Sequence, residues 1–589
     1  MSALRDLRDT WAAIRANARR RDLVFVSGMA LTAALSVAVP LAVRNRARVD
    51  VLNGLDVPVD VVIGERAVHL EPGARQRVST GTGVFLIKTR TARGVIEELA
   101  LRVPPFKDAV VYNVLGVAPL YRAQVEYSAS LGGGRGNVKF LGGERLYVEA
   151  SVDHVFVQPP QTISVKRGAR TWRSHVDVAK GGWRTTWQYL EQEGELERAA
   201  RVATSVLEAD PSSSDALERA ASLTAATAGV EASLALLRSA IADDPASVRA
   251  HLAYQRAMRV AGQSTRLRDE YAALAAKQPD SLPMAVLAAQ AEPGVASRAA
   301  LEALHARHPD DPAVQLALAR CLLREERGVE AAELFAKAAR GAPALYDPHV
   351  EEHARALVFA GKPSEGAKVL AASLSAALDP RAWRPAMTYA QLAALPGVTA
   401  SPRGDTFFRR LSEGRPGVDA FLSVRLGEAT SFAKVENTDT RAALEIAAAA
   451  ARDPAAAWQA CSRAPARALR EVPSEVALLL GLELGRAGDP GLANALFEAG
   501  VGPPIPLSDI VAYAHGGDAS PELVRLDPEW RAAADLVRAR ALEARGAPAE
   551  ALYASAARRD PLRGPIYRAV NAWPRLAPAS AAVVGGKRK

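Results

Sequence analysis

Pro211, Pro245 and Pro279 stand 34 residues apart, and Pro309 and Pro343 repeat the interval. Each closes a stretch with helical patterning, such as "VLEADP", "AIADDP" or "AAKQP". A proline takes away a backbone donor and forces the residue before it out of the helical region. A regular break of this kind leaves room in each interval for two short helices. Such a unit cannot bury its apolar side alone, so successive units must stack.

The residues inside the intervals support a helix-turn-helix unit. Between 312 and 343, Leu318, Ala319 and Leu322 fall on the first helix, Ala331, Phe335 and Ala338 on the second, and Pro343 ends the unit. Small residues are needed where two helices cross closely, and large ones fill the space beside them. The span 214–245 keeps Ala221, Ser233, Leu237 and Ala240, whereas 248–279 keeps mainly Tyr271 and Pro279. On these residues the chain resembles the tetratricopeptide repeat (TPR) family over about 180–380. Residues 381–440, with "LPGVTASPRGDTFF", read as an irregular insertion or an atypical repeat. The helical pairs at 476–500 and 533–561 place further repeats over 441–570, ahead of a loose basic tail at 571–589.

A solenoid of this kind presents a concave surface, formed by its first helices, to an extended segment of a partner. The 34-residue register projects Arg249, Arg256, Arg259, Arg320 and Arg324 onto that surface. Guanidinium groups pair with carboxylates, so an acidic or C-terminal peptide segment is the expected partner. The competing reading is a set of solvated charges on an ordinary repeat surface.

Ahead of the repeats the period changes to alternation. "VPVDVVI" places Val57, Val59, Val61 and Ile63 on one face, and strand-like runs follow at 84–91, 95–103, 109–115 and 121–128. Short strands with such turn signals predict a small antiparallel β-sandwich over 49–170. The "L-x-P-G then strand" pattern at Leu70–Gly73 is similar to immunoglobulin-like and PEGA-like envelope modules over one hairpin. The glycine-rich "LGGGRGNVKFLGG" fits neither dinucleotide nor P-loop spacing and reads as a hairpin or exposed loop.

Leu23 to Val43 carries no charge, a length that suits a membrane-spanning helix. Six arginines precede it and Arg44, Arg46 and Arg48 follow, which favours an N terminus on the cytoplasmic side. Within the basic segment 1–22, Leu4, Leu7, Trp11 and Ile14 recur at helical spacing and predict an amphipathic helix. The net charge of +9 resides in the first 49 residues and in Lys587-Arg588-Lys589, leaving 50–586 neutral. With aromatics at 5%, that body lacks the basic face and stacking residues of a nucleic-acid binder. Cys321 and Cys461 are too far apart in sequence for a cysteine metal site, and both read as small buried hydrophobes.

"HVEEH" at 349–353 matches the H-x-x-E-H spacing in which two histidines hold zinc and a glutamate activates water. His349 and His353 fall one turn apart on a helix that Asp347-Pro348 would start. Glu365 is the only acidic residue between 354 and 378, so no third ligand follows on the next helix. An ordinary helix start is the preferred reading, with neither enzyme nor cofactor expected.

The chain as a whole therefore reads as multidomain: a single transmembrane helix, a small antiparallel β-sandwich, then an all-α TPR-like solenoid. The expected function is a membrane-anchored scaffold or adaptor for protein–protein interaction in a bacterial cell envelope. The expected location is the inner membrane, single-pass, with the bulk of the chain periplasmic. The alternatives are a cytoplasmic-facing membrane-tethered adaptor and a zinc hydrolase using His349 and His353.

Overall fold

In the computed structural model the described residues run from 47 to 576, apart from 105–108, 129–134, 150–151, 161, 165–169, 375–382, 400, 413–415, 428–431, 436 and 501–503. They form two compact units, one built mainly from residues before Thr224 and the other mainly from those after Leu223.

The first unit holds twelve strands: β1 (Ala47–Leu52), β2 (Val59–Ile63), β3 (Arg66–Leu70), β4 (Arg75–Thr80), β5 (Gly83–Thr91), β6 (Gly94–Val103), β7 (Ala109–Asn113), β8 (Leu120–Ser128), β9 (Arg135–Phe140), β10 (Leu146–Glu149), β11 (His154–Val155) and β12 (Arg170–Val178). They make three four-stranded sheets, ordered β10-β7-β1-β4, β3-β2-β5-β6 and β11-β12-β8-β9. The expected all-antiparallel sandwich is corrected here. β1 pairs with β7 in parallel, and so does β11 with β12. Parallel partners need a crossover, and alternation along one strand does not encode which distant strand it will join. In β2, Val59, Val61 and Ile63 are buried while Asp60 faces out.

Helices α1 (Trp183–Gln192) and α2 (Leu196–Ala209) follow, and this unit extends to Leu223. Trp183 and Trp187 join Val49, Val51, Val61 and Tyr112 in one core, and the Trp183 indole N–H donates to Asp56 at 3.1 Å. Glu97 is buried within the β region. It accepts from the Tyr112 hydroxyl at 2.6 Å and from the Leu115 amide at 2.9 Å, and Arg145 lies 3.2 Å away. A buried carboxylate is tolerated when it is paired and hydrogen-bonded in this way.

The repeats begin with α3 (Ser214–Ala228) and α4 (Val230–Asp243). Next come α5 (Val248–Val260), α6 (Ser264–Lys277), α7 (Leu282–Ala291), α8 (Gly294–Arg307), α9 (Pro312–Arg324) and α10 (Gly328–Gly341). After the helical turns Pro343–Tyr346 and Asp347–His349 come α11 (Val350–Phe359), α12 (Pro363–Ser373), α13 (Trp383–Ala393), α14 (Pro402–Ser412) and α15 (Pro416–Leu426). The last nine are α16 (Thr438–Ala450), α17 (Pro454–Arg463), α18 (Ala466–Glu471), α19 (Ser474–Ala487), α20 (Pro490–Gly500), α21 (Leu507–Ala514), α22 (Pro528–Glu543), α23 (Glu550–Arg559) and α24 (Pro565–Ala572).

The proline interval has a local cause that the backbone displays. Asp210, Asp244, Gln278, His308 and Ala342 each end a helix with φ between −149° and −132°, outside the helical region. All five precede a proline directly: Pro211, Pro245, Pro279, Pro309 and Pro343. Two residues after the proline, Ser213, Ser247, Ser281 and Asp311 accept from the amide three positions on and start the next helix. A Pro-x-Ser/Asp linker thus stops one helix and starts another. The first helices α5, α7, α9 and α11 pack side by side in that order.

The membrane architecture expected from the sequence is corrected. Among the described residues no helix is long and apolar enough to cross a membrane. The longest, α22, has 16 residues, about 24 Å of helix against a hydrocarbon core of roughly 30 Å. Leu23–Val43 and the basic segment before it lie outside the described residues. The expected membrane anchor, the membrane as a partner and the inner-membrane location with a periplasmic bulk are not supported. What stands is an N-terminal β-strand region followed by an all-α, TPR-like solenoid.

Leu318, Ala319, Leu322, Ala331, Phe335 and Ala338 come together in one core shared by α9, α10 and α11. Phe335 is fully buried, whereas Lys337 beside it is exposed. Phe335→Ala is expected to cost about 3–5 kcal/mol, and Lys337→Ala less than about 0.5 kcal/mol. Urea denaturation, followed by hydrogen exchange in α9–α11, checks both values.

Candidate functional site

The five projected arginines separate into two groups. Arg249 and Arg256 lie exposed on α5. Arg259, one turn further on, turns inward, where its Nη2 donates to Gln255 Oε1 at 2.9 Å and to the Gln290 carbonyl at 2.6 Å. Gln255 in turn donates to the Leu287 carbonyl at 2.8 Å, tying α5 to the end of α7. Gln290 belongs to the last turn of α7, whose carbonyls have no partner within the helix. A guanidinium satisfies them and favours the negative end of the helix dipole.

A second guanidinium reaches the same oxygen from the far end of the chain. Arg525 Nη2 lies 3.1 Å from the Gln290 carbonyl and also donates to the Glu292 carbonyl. Its own Nε sits 2.6 Å from Glu522. Burial, with Arg525 close by, pushes the Arg259 guanidinium down to about 9. It stays charged near neutrality, but at a cost.

Arg320 and Arg324, on α9, continue this face. Arg320 Nε lies 3.1 Å from Glu352. Burial and Arg320 lower the Arg324 guanidinium, against the favourable fields of Asp527 and Glu352. The Arg324 carbonyl, the last of α9, accepts from Arg531 at 3.0 Å. The row of first helices is thus covered in part by the chain's own segment 520–531. No local pattern signals this, because the partners lie more than 200 residues apart.

Beside that segment lies a buried node of three carboxylates and two guanidiniums. Arg355 Nη1 is 3.4 Å from Glu529, and Arg425 pairs with Glu475. Asp560 accepts from the Gly564 and Tyr567 amides at 3.1 and 2.9 Å. Burial, then the neighbouring carboxylates, raise both Glu529 and Asp560, and Glu529 is pushed up to about 7 in spite of Arg355. Burial and mutual repulsion thus work against full ionisation of these carboxylates.

The HVEEH residues are all engaged structurally. A short 3-10 turn, Asp347–His349, precedes α11, so the helix starts at Val350 and His349 caps it rather than lying inside. His349 Nδ1 lies 2.6 Å from Glu352, the same carboxylate that meets Arg320 and is thereby held down to about 2. Glu351 accepts from Arg355 and Thr388, each at 3.1 Å. His353 Nδ1 lies 2.6 Å from the Tyr346 hydroxyl and its ring stacks on Phe335, while burial pushes it down to about 4. Among the described residues, no three His, Cys, Asp or Glu side chains are arranged to hold a metal.

No family model matches the chain. No curated protein matches it either. Solved structures similar to it include YrrB, a TPR protein with an unusual peptide-binding site, at 13% identity over 32% of this chain and 81% of that one, with a TM-score of 0.15. Pseudomonas aeruginosa pilF matches at 17% identity over 40% of this chain and 90% of its own, TM-score 0.20. Yeast Tom70 matches at 12% over 66% and 94%, TM-score 0.17. The TPR-like character of this chain lies in its own paired helices and their Pro-x-Ser/Asp linkers.

The acidic node sets a pH dependence. A carboxyl raised to about 7 in the folded chain, against roughly 4 when unfolded, contributes stability fully present below pH ~4 and lost as pH rises through 7. The melting temperature is expected to fall between pH 6 and pH 8 at fixed ionic strength. Glu529→Gln, which keeps the neutral form, is expected to flatten that fall.

Proposed function

We propose that the helical array is a scaffold for protein–protein interaction, and that its receptive surface is the arginine-bearing row of first helices. One observation carries this reading. The row already receives carboxylates, since Glu522 and Asp527 of this chain lend favourable fields to Arg259 and Arg324 of the row. The exposed end of the row, with Arg249 and Arg256 on α5, is the part the reading offers to an acidic segment of a partner. Solenoids of stacked helix pairs commonly bind along such a surface. A catalytic role has less support, because each polar side chain of HVEEH is spent on a neighbouring residue.

A fluorescein-labelled octaglutamate peptide provides the test. Anisotropy is expected to report binding that weakens with salt and drops about ten-fold or more in Arg249→Glu/Arg256→Glu, a loss of ~1.4 kcal/mol or greater. Circular dichroism of that variant is expected to match the wild type. Equal binding by both proteins would remove this surface as the receptor.

A further inference from the structure

Strand β6 lies at the edge of the sheet β3-β2-β5-β6, with β5 as its only sheet neighbour among the described residues. An edge strand turns half of its backbone amides and carbonyls away from the sheet, where a further strand can pair with them. Two breaks bound this edge. The register against β5 shifts between Thr89 and Arg90, which leaves Ile96 without an opposite residue. At the other end Pro104 has no amide hydrogen to offer. Between the breaks Glu97–Val103 runs in unbroken register, with Ala100 at its midpoint.

Glu98, Ala100 and Arg102 are exposed, and they alternate with Glu97, Leu99, Leu101 and Val103, which are buried or partly so. On β5 they lie opposite Lys88, Leu86 and Val84. Leu86 is 60% exposed and Val84 69%, so large apolar side chains stand in water beside the edge. Lys88 pairs with Glu98, whereas Arg102 makes no ion pair with another described residue.

These charges are complementary to their own copy. When two identical strands pair antiparallel, opposed residues share a face, so the two-fold axis passes beside a residue that meets itself. With that axis at Ala100 all seven residues are used. Glu98 then faces Arg102 of the second copy, and Arg102 faces the second copy's Glu98. An axis at Glu98 or Arg102 would oppose like charges, and one at Leu99 or Leu101 would set a charge against alanine. Opposite charges across a strand pair attract and like charges repel, so the Ala100 register is selected. It gives the free Arg102 a carboxylate, and the small alanines leave room for both Leu86 side chains to lean over the junction.

We propose that β6 is a self-association edge, through which two copies of this chain join antiparallel about Ala100 into one continuous sheet. With seven residues a side, against roughly 20–30 in a standard interface, the pair forms and separates with concentration.

Ala100→Cys in the full chain tests the register. Opposed Cα atoms in an antiparallel pair lie about 4.5–5.5 Å apart, within disulfide reach, so mild oxidation is expected to cross-link this variant. Leu86→Cys, three strand spacings or about 14 Å from its copy, is expected to stay single. The chain with only its native Cys321 and Cys461 is the blank. In the Ala100→Cys background, Glu98→Arg sets arginine against arginine and is expected to slow cross-linking about ten-fold or more. Arg102→Glu alone is expected to do the same. Both changes in one chain restore the match and the cross-link, and the two single-change chains are expected to cross-link to each other when mixed. Cross-linking at Ala100 that ignores these charges, or none up to about 1 mM protein, overturns the proposal. A chain that stays single yet binds a labelled Glu97–Val103 peptide gives the edge to a strand of another protein, and also overturns it.

Discussion

A residue that precedes proline cannot stay in the helical region without a steric clash, and the TPR-like repeats depend on that clash recurring. At Asp244, Gln278 and His308 it ends a second helix, and the serine or aspartate two residues beyond the proline opens the next first helix. Fixed linkers between helices of similar length place α5, α7, α9 and α11 in one row. The arginine face exists because that row exists. Further along, where the proline interval lapses, the packing changes character, and α19 and α22 become helices buried on nearly all sides.

Arginine performs much of the work that capping glycines or hydroxyl side chains do elsewhere. Arg525 reaches the end of α7, Arg531 the end of α9 and Arg538 the carbonyl of Tyr513 near the end of α21. A guanidinium carries five donors in a planar fork and remains charged when partly buried, so one side chain can span neighbouring helix-end carbonyls. These contacts account for arginines in a neutral body without invoking nucleic acid. They also explain why projection of the register selects residues of two kinds. Arg249 and Arg256 remain on the surface, while Arg259 and Arg324 are drawn into the seam.

The HVEEH stretch illustrates how a motif dissolves when its neighbours are known. Two histidines one turn apart will share a helix face in any helix. What decides their chemistry is the Tyr346 hydroxyl and Phe335 ring on His353, and Glu352 on His349. Glu352, the residue a hydrolase would need as a base, is held ionised between His349 and Arg320. Its lowered affinity for a proton unfits it for that role.

Local rules were open to reading in the residue order. The helix breaks at Pro245 and Pro279, the small and large positions around Ala331 and Phe335, and the alternation at Val59, Val61 and Ile63 all arise from sterics and burial within a few neighbours. The parallel pairing of β1 with β7, the return of Arg525 to Gln290, and the node of Glu475, Glu529 and Asp560 do not. Each joins residues that no period connects, through contacts whose energy appears only once the chain has folded back on itself. Sequence determined where elements begin, end and turn their apolar sides, because those depend on short-range geometry. Only the tertiary structure decided which arginines stay in solvent and which become struts, because burial and pairing are properties of the partners brought beside them.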